Sequence, residues 1–272
     1  MPLCYSEIAM QKKSIFKKCY AHHLGGCNHK SQEHFISKSL LKIIGVFEVK
    51  GFPWSTPDTA TRASSKSLTA SVLCDHHNSL LSDFDSETAR LMSHLKLLDS
   101  KTTPQELLST PNEFIVDGIK LEKWLLKSLC GIMSSGNFMI ESRSFGKVQP
   151  SQYLVNLLFS SEPWKPGIGL YLEYSEHKRV NAMRGVGYDP VLAKSRSHSN
   201  IVGIDMHLWG FPFRGLFATY EDGVALPNYR PNKMRISNGD VVRDVVFAWP
   251  STSVTSEGPV LTRDGTLHIS NS

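Results

Sequence analysis

Two stretches of the chain place apolar residues at the spacing of an amphipathic helix. The first starts at Ser79, and its apolar positions recur at helical intervals. They are Leu80, Leu81, Phe84, Ala89, Leu91, Met92, Leu95 and Leu98. The second covers residues 119–133, I-K-L-E-K-W-L-L-K-S-L-C-G-I-M, and Gly136 follows shortly after it. Cys130 falls on the apolar side of this stretch, which is typical of a core position. Both stretches are predicted to be helices.

Short apolar runs between turn residues predict strands. In the first third of the chain these are S-Q-E-H-F-I-S at 31–37 and L-T-A-S-V-L-C at 68–74. A brief amphipathic turn at 37–45 and a loop rich in proline, serine and threonine at 50–67 separate them. From Tyr153 onward the runs L-V-N-L-L-F, G-I-G-L-Y-L-E-Y, I-V-G-I-D-M-H-L-W-G, L-F-A-T-Y and V-V-F-A-W predict an antiparallel sheet.

These elements predict an α+β protein with two domains, in keeping with 272 residues. Residues 1–98 form the first domain, a strand–loop–strand–helix module. Residues 99–113 are a connector bracketed by Pro104 and Pro111. Residues 114–250 form a domain of a helix packed on a sheet, and residues 251–272 are a flexible tail.

The excess positive charge lies at one end of the chain. Residues 1–50 contain eight lysines against three glutamates, whereas residues 51–272 balance to zero. Such a basic segment is expected of a protein that meets phosphates, although a solvated lysine-rich terminus has the same composition. No apolar run approaches the length of a membrane span, and the N-terminus lacks the apolar segment of a signal peptide. A cytoplasmic protein without a membrane partner is predicted.

The cysteines indicate a metal site instead of disulfides. Their number is five, and an odd count in a cytoplasmic chain favours metal binding. Cys19 and Cys27 flank a glycine pair that permits a tight turn, and Cys74 is followed by His77. Two such pairs far apart in sequence can close one tetrahedral structural zinc site and clamp the chain between them.

Three other histidines lie close enough in sequence to compete with Cys27 as a ligand. They are His22, His23 and His29. We predict Cys27 because thiolate suits structural zinc best.

An acidic residue and a histidine, Glu33 and His34, lie between the two pairs, and Asn78 directly follows His77. Together C-x7-C, E-H-F-I-S, and L-C-x2-H-N with an aspartate seven residues on resemble the HNH (His-Asn-His) endonuclease family of zinc-clamped ββα-metal nucleases. The resemblance covers residues 15–98, about a third of the chain. The family's zinc-clamped members usually carry two C-x2-C pairs, which this sequence replaces with C-x7-C and C-x2-H.

The resemblance implies a metal-dependent endonuclease that hydrolyses DNA phosphodiester bonds. His34 would be the general base, oriented by the side-chain amide of Asn78. A catalytic Mg²⁺ or Mn²⁺ would be held by Glu33 and by Asp85, which lies about two helical turns after Asn78 and so shares its face. Asp83 and Glu87 are the alternatives to Asp85.

A second interpretation retains the structural zinc but assigns no catalytic activity to the chain. A zinc-clamped fold can serve as a non-catalytic module that binds nucleic acid or a protein. The C-terminal domain, whose charges balance and which shows no motif, is expected to position substrate or a protein partner and to carry no catalytic group.

Overall fold

The computed structural model describes residues 15–55, 60–98, 104–140, 143–172, 185–194, 199–218, 228–238, 241–257, 260–262 and 267–268. Most of the predicted lead-in, the first part of the connector and much of the predicted tail lie outside these ranges. No helix within them is both long enough and apolar enough to cross a membrane.

The N-terminal part has the predicted order of strand, loop, strand and helix. Its elements are β1 (Glu33–His34), α1 (Lys38–Ile44), β2 (Glu48–Val49), β3 (Thr61–Arg62), β4 (Thr69–Ala70), α2 (Asp75–Ser79) and α3 (Ser82–Leu97). β1 pairs antiparallel with β4, so that Glu33 faces Ala70 and His34 faces Thr69 across the ladder. β2 and β3 form a second antiparallel pair within the intervening loop. The predicted first helix corresponds to α3, and a separate short helix, α2, precedes it and begins directly after Cys74.

The remaining chain forms helices and two larger sheets. Its elements are α4 (Pro104–Ser109), β5 (Glu113–Asp117), α5 (Gly118–Ser135), β6 (Met139–Ile140), β7 (Arg143–Ser144), α6 (Gln152–Phe159), β8 (Gly169–Tyr171), β9 (Val186–Lys194), β10 (Ser199–Leu208), β11 (Phe211–Leu216), β12 (Lys233–Asn238), β13 (Val241–Ala248), β14 (Val260–Thr262) and β15 (Leu267–His268). One sheet, ordered β8-β11-β10-β9, is antiparallel throughout. The other, ordered β15-β14-β12-β13-β5, is mixed, because β12 runs parallel to β14 and β13 parallel to β5. The fold class is α+β, as predicted.

Two predicted strands are wrong. L-F-A-T-Y begins at Leu216, the last residue of β11, and Phe217 and Ala218 lie outside any strand. L-V-N-L-L-F forms the helix α6, which starts after Ser151, whose hydroxyl accepts a hydrogen bond from the Leu154 N–H. The buried residues Leu154, Val155 and Leu158 then lie on one face of the helix, which packs against α5. A short apolar run fits either a strand or a buried helix by its periodicity, and here the N-cap and the helix packing decide.

Helix α5 is the central element of the molecule. Asp117 caps its N-terminus by accepting a hydrogen bond from the Lys120 N–H at 3.0 Å, and Gly136 ends it in the left-handed conformation. It packs against α3 in the N-terminal part and against both larger sheets. At Gly131 the contact with Phe35 is so close that an added Cβ would lie 3.2 Å from the Phe35 side chain.

The apolar core continues across the predicted domain boundary. A single cluster of buried side chains includes Leu40 and Leu91 before the connector and Trp124, Leu129 and Phe211 after it. Helix α5 therefore belongs to the same packed unit as the N-terminal part, and its side chains reach the predicted site.

Candidate metal centre and adjoining carboxylate pair

Cys19, Cys27, Cys74 and His77 meet in one cluster. Their ligand atoms all lie within 4.8 Å of one another. His77 Nδ1 is 3.5 Å from Cys19 Sγ, 3.6 Å from Cys27 Sγ and 3.2 Å from Cys74 Sγ. A tetrahedral zinc ion with Zn–S of about 2.3 Å and Zn–N of about 2.0 Å gives an S–N separation of roughly 3.5 Å. The cluster can therefore hold a metal ion such as zinc.

Backbone contacts bring the two ligand pairs together. Tyr20 N–H donates to the Val72 carbonyl at 2.9 Å, and Asp75 N–H donates to the His29 carbonyl at 2.9 Å. Gly26 has a positive φ of 68° and lies against the His76 ring, so its turn suits glycine. These contacts join the segment before β1 to the segment after β4.

Of the competing histidines, none belongs to the cluster that the described residues form. His23 Nε2 instead lies 2.9 Å from Asn156 Oδ1 on α6. Cys130 is buried in α5, as predicted for a core cysteine.

The thiols of the cluster need a cation to ionise together. Burial, together with the neighbouring thiols Cys19 and Cys74, raises the pKa of Cys27 to about 12. Burial also raises the pKa of Cys19. At Cys74 burial acts in the same direction, but hydrogen bonds from the backbone of His77 and Asn28 leave its pKa lowered. A divalent ion would supply the positive charge that three adjacent thiolates require.

Strand β1 turns the candidate base and its acidic neighbour in opposite directions. Glu33 is 3% exposed, whereas His34 is partly exposed. This follows from the alternation of side chains along a strand. Burial, followed by the positive charges of Lys38 and Lys127, lowers the pKa of His34. The imidazole is therefore neutral near pH 7, as a general base must be.

Glu33 and Asp85, the two carboxylates predicted to hold a catalytic metal ion, come together around a lysine. Lys127 Nζ on α5 lies 2.8 Å from Glu33 Oε1 and 2.6 Å from Asp85 Oδ2. The side chains of Glu33 and Lys127 are each 4% exposed, and that of Asp85 is 25% exposed. Burial alone would lower the pKa of Lys127, but the two carboxylates raise it, so Lys127 is an ammonium ion.

The second oxygen of Asp85 is also engaged. Ser37 Oγ donates to Asp85 Oδ1 at 2.5 Å and accepts a hydrogen bond from the Trp124 indole N–H at 2.8 Å. Strand β1, helix α3 and helix α5 are thus connected by one buried polar network.

A divalent ion does not fit between Glu33 and Asp85 in this arrangement, because the Lys127 ammonium already holds the position between them. Mg²⁺ also keeps several water ligands, for which a pair buried to this degree has little room. Lys127 was not predicted from the sequence, although a signal was present. Lys127 is one helical turn from Trp124 and from Cys130, so it is a charged residue among the apolar positions of α5.

The remaining predicted residues make other contacts. Asn78 Nδ2 donates to Ser31 Oγ at 2.9 Å, next to β1. Of the alternatives to Asp85, Asp83 is exposed, and Glu87 binds Arg90 and accepts a hydrogen bond from the Asp117 N–H at 2.7 Å. The orienting contact between Asn78 and His34 stays a prediction.

Comparison with known proteins returns no relative. No family model, no curated protein and no solved structure matches the chain.

Proposed function

We propose that the chain is a zinc-stabilised endonuclease of the HNH type that hydrolyses phosphodiester bonds of DNA. The observation that carries the proposal is the position of His34. It is a partly exposed histidine on the two-stranded β1–β4 ladder, and the residues of the Cys3His cluster lie in the segments before β1 and after β4, followed by helix α3. This order of ladder, metal cluster and helix matches what the HNH resemblance implies.

In the proposed reaction the neutral imidazole of His34 takes a proton from water, which attacks the phosphodiester. The zinc ion has a structural role, since its four ligands hold the segments on either side of the β1–β4 ladder. We assign no step to a divalent ion on Glu33 and Asp85, because the Lys127 ammonium lies between the two carboxylates.

Exposed lysines support a phosphate-binding role for the N-terminal part. Lys17, Lys18, Lys30, Lys38 and Lys42 are exposed in the N-terminal part. Lys38 is near enough to His34 to lower the pKa of the imidazole. Ammonium groups beside the proposed base would hold the DNA backbone through salt-dependent contacts.

A second candidate is a non-catalytic zinc module that binds nucleic acid or a protein. The ion pairs of Lys127 favour it, because the carboxylates that would hold a catalytic ion are engaged within the protein. In either case residues 114–250 would position DNA or a protein partner.

The test is cleavage of supercoiled plasmid by the wild type and His34→Ala, with and without Mg²⁺ or Mn²⁺. We expect His34→Ala to lose about 10²–10⁴-fold in rate, the usual contribution of a general base, while it keeps its zinc and its DNA binding at fixed salt. His29→Ala is the matched control, since His29 is exposed and outside the metal cluster. Equal rates for wild type and His34→Ala would remove the proposed mechanism. DNA binding without cleavage by the wild type would favour the second candidate.

A further inference from the structure

The Glu33–Asp85 pair has its own cation. We propose that the ammonium of Lys127 is the resident cation of this pair, so that the native chain takes no divalent ion there. The inference deepens the proposed function and rests on it, because it concerns the charged group next to the proposed base.

The geometry of the pair supports this assignment. Lys127 Nζ contacts one oxygen of each carboxylate, at 2.8 Å for Glu33 and 2.6 Å for Asp85. The other oxygen of Asp85 is taken by Ser37 Oγ. The ammonium thus occupies the place where an ion bridging the two carboxylates would lie.

The charges of the pair lead to the same conclusion. With both carboxyls ionised, the pair and the ammonium carry a net charge of −1, with Glu33 and Lys127 buried and Asp85 partly buried. A divalent ion would have to lie beside the ammonium or displace it, and displacement would leave a charged lysine unpaired in the core. A buried charge without its partner is strongly unfavourable.

Lys127 is therefore a positioning residue. It ties β1, on which His34 lies, to α3 and α5 without touching a substrate, since its side chain is 4% exposed. If cleavage requires a divalent ion, that ion therefore binds outside the Glu33–Asp85 pair.

The experiment measures Mn²⁺ binding to the zinc-loaded full-length protein by electron paramagnetic resonance of the free ion. We expect wild type and Asp85→Asn to bind Mn²⁺ equally weakly. We expect Lys127→Met to gain one site at least tenfold tighter, and Lys127→Met/Asp85→Asn to lose that site. Zinc content and circular dichroism check that the variants are folded.

Two results would overturn the proposal. The first is one Mn²⁺ bound by the wild type and lost in Asp85→Asn, which would mean that the ammonium yields to a metal ion. The second is a folded Lys127→Met that gains no site. The comparison of wild type with Asp85→Asn decides the matter even where Lys127→Met does not fold. Because no nucleic acid is present, these results are independent of the cleavage assay on His34→Ala.

Discussion

Two clusters of polar side chains include residues next to or within the β1–β4 ladder, and they differ in the source of their positive charge. The Cys3His cluster gathers three sulfur atoms and one imidazole nitrogen. The carboxylate cluster gathers Glu33 and Asp85 around Lys127 Nζ. The first offers ligand atoms that require a metal ion, whereas the second contains its own cation.

The difference shows why similar ligand patterns in a sequence lead to different sites. Both patterns combine residues far apart along the chain, and both suggested a metal ion. Whether a metal ion is needed depends on what other elements bring to the same place. In the carboxylate cluster, helix α5 brings a lysine, and this helix lies outside the region that resembles a nuclease.

The largest effect is expected from removing a ligand of the Cys3His cluster. Cys74→Ser should reduce the zinc content from about one ion per chain to nearly none and unfold the N-terminal part, because structural zinc contributes about 10–16 kcal/mol in small zinc-binding peptides. Zinc analysis and thermal unfolding measure both effects. Cys130→Ala is the control, since Cys130 is a buried cysteine outside the cluster. A Cys74→Ser protein with full zinc and an unchanged unfolding midpoint would contradict the assigned ligands.

Breaking the carboxylate cluster should cost less but still be severe. Lys127→Met leaves the buried Glu33 and the partly buried Asp85 without their cation, and loss of one partner from a buried ion pair costs about 3–5 kcal/mol. Chemical denaturation measures the change in unfolding free energy. Lys120→Met on the same helix should change it by less than about 0.5 kcal/mol, because Lys120 is only partly buried and has no ion pair in the described structure.

The triple variant Glu33→Gln/Asp85→Asn/Lys127→Met separates charge from packing. It should recover part of the stability lost in Lys127→Met, since it leaves no unpaired charge. An equal loss in both variants would mean that packing, and not the ion pairs, gives Lys127 its importance.

Zinc binding to the metal-free protein should depend steeply on pH. The raised pKa values of Cys19 and Cys27 keep both thiols protonated near pH 7, and zinc must displace these protons. Zinc affinity should therefore rise with pH by at least about 100-fold per pH unit, because Cys19 and Cys27 each release a proton. Competition with a chelator at several pH values measures the slope. A slope near zero would show that the thiols are already ionised in the metal-free protein.

The smallest effect is expected at the edge of the carboxylate cluster. Ser37→Ala removes the donor to Asp85 Oδ1 and leaves the buried Trp124 indole N–H without its acceptor, at a cost of about 1–2 kcal/mol. Ser39→Ala should cost less, because Ser39 Oγ makes only a 3.4 Å contact with the Asp85 carbonyl. Unfolding free energies of the two variants, measured side by side, test the order. Equal losses would mean that the network ends at Lys127.

The elements that depend on local pattern were predictable from the sequence. The helical spacing of apolar residues predicted α3 and α5, and the order of strand, loop, strand and helix in the N-terminal part is as predicted. The four residues of the metal cluster were also predicted, because two ligand pairs far apart in sequence can close one tetrahedral site and thiolate suits structural zinc. The helices follow from interactions between neighbours in the sequence, whereas the metal cluster follows from the ligand types of residues that lie far apart in the chain.

The tertiary structure decided what depends on distant contacts. It made L-V-N-L-L-F a helix that packs on α5, joined the core across the connector, and paired β13 and β12 with parallel neighbours. It also brought Lys127 to Asp85 from 42 residues away. A buried ammonium is stable only where carboxylates surround it, and nothing in the local pattern of α5 says which elements lie opposite. The sequence thus determined the ligands of the metal cluster. Only the packing of α5 decided which cation binds the carboxylates of Glu33 and Asp85.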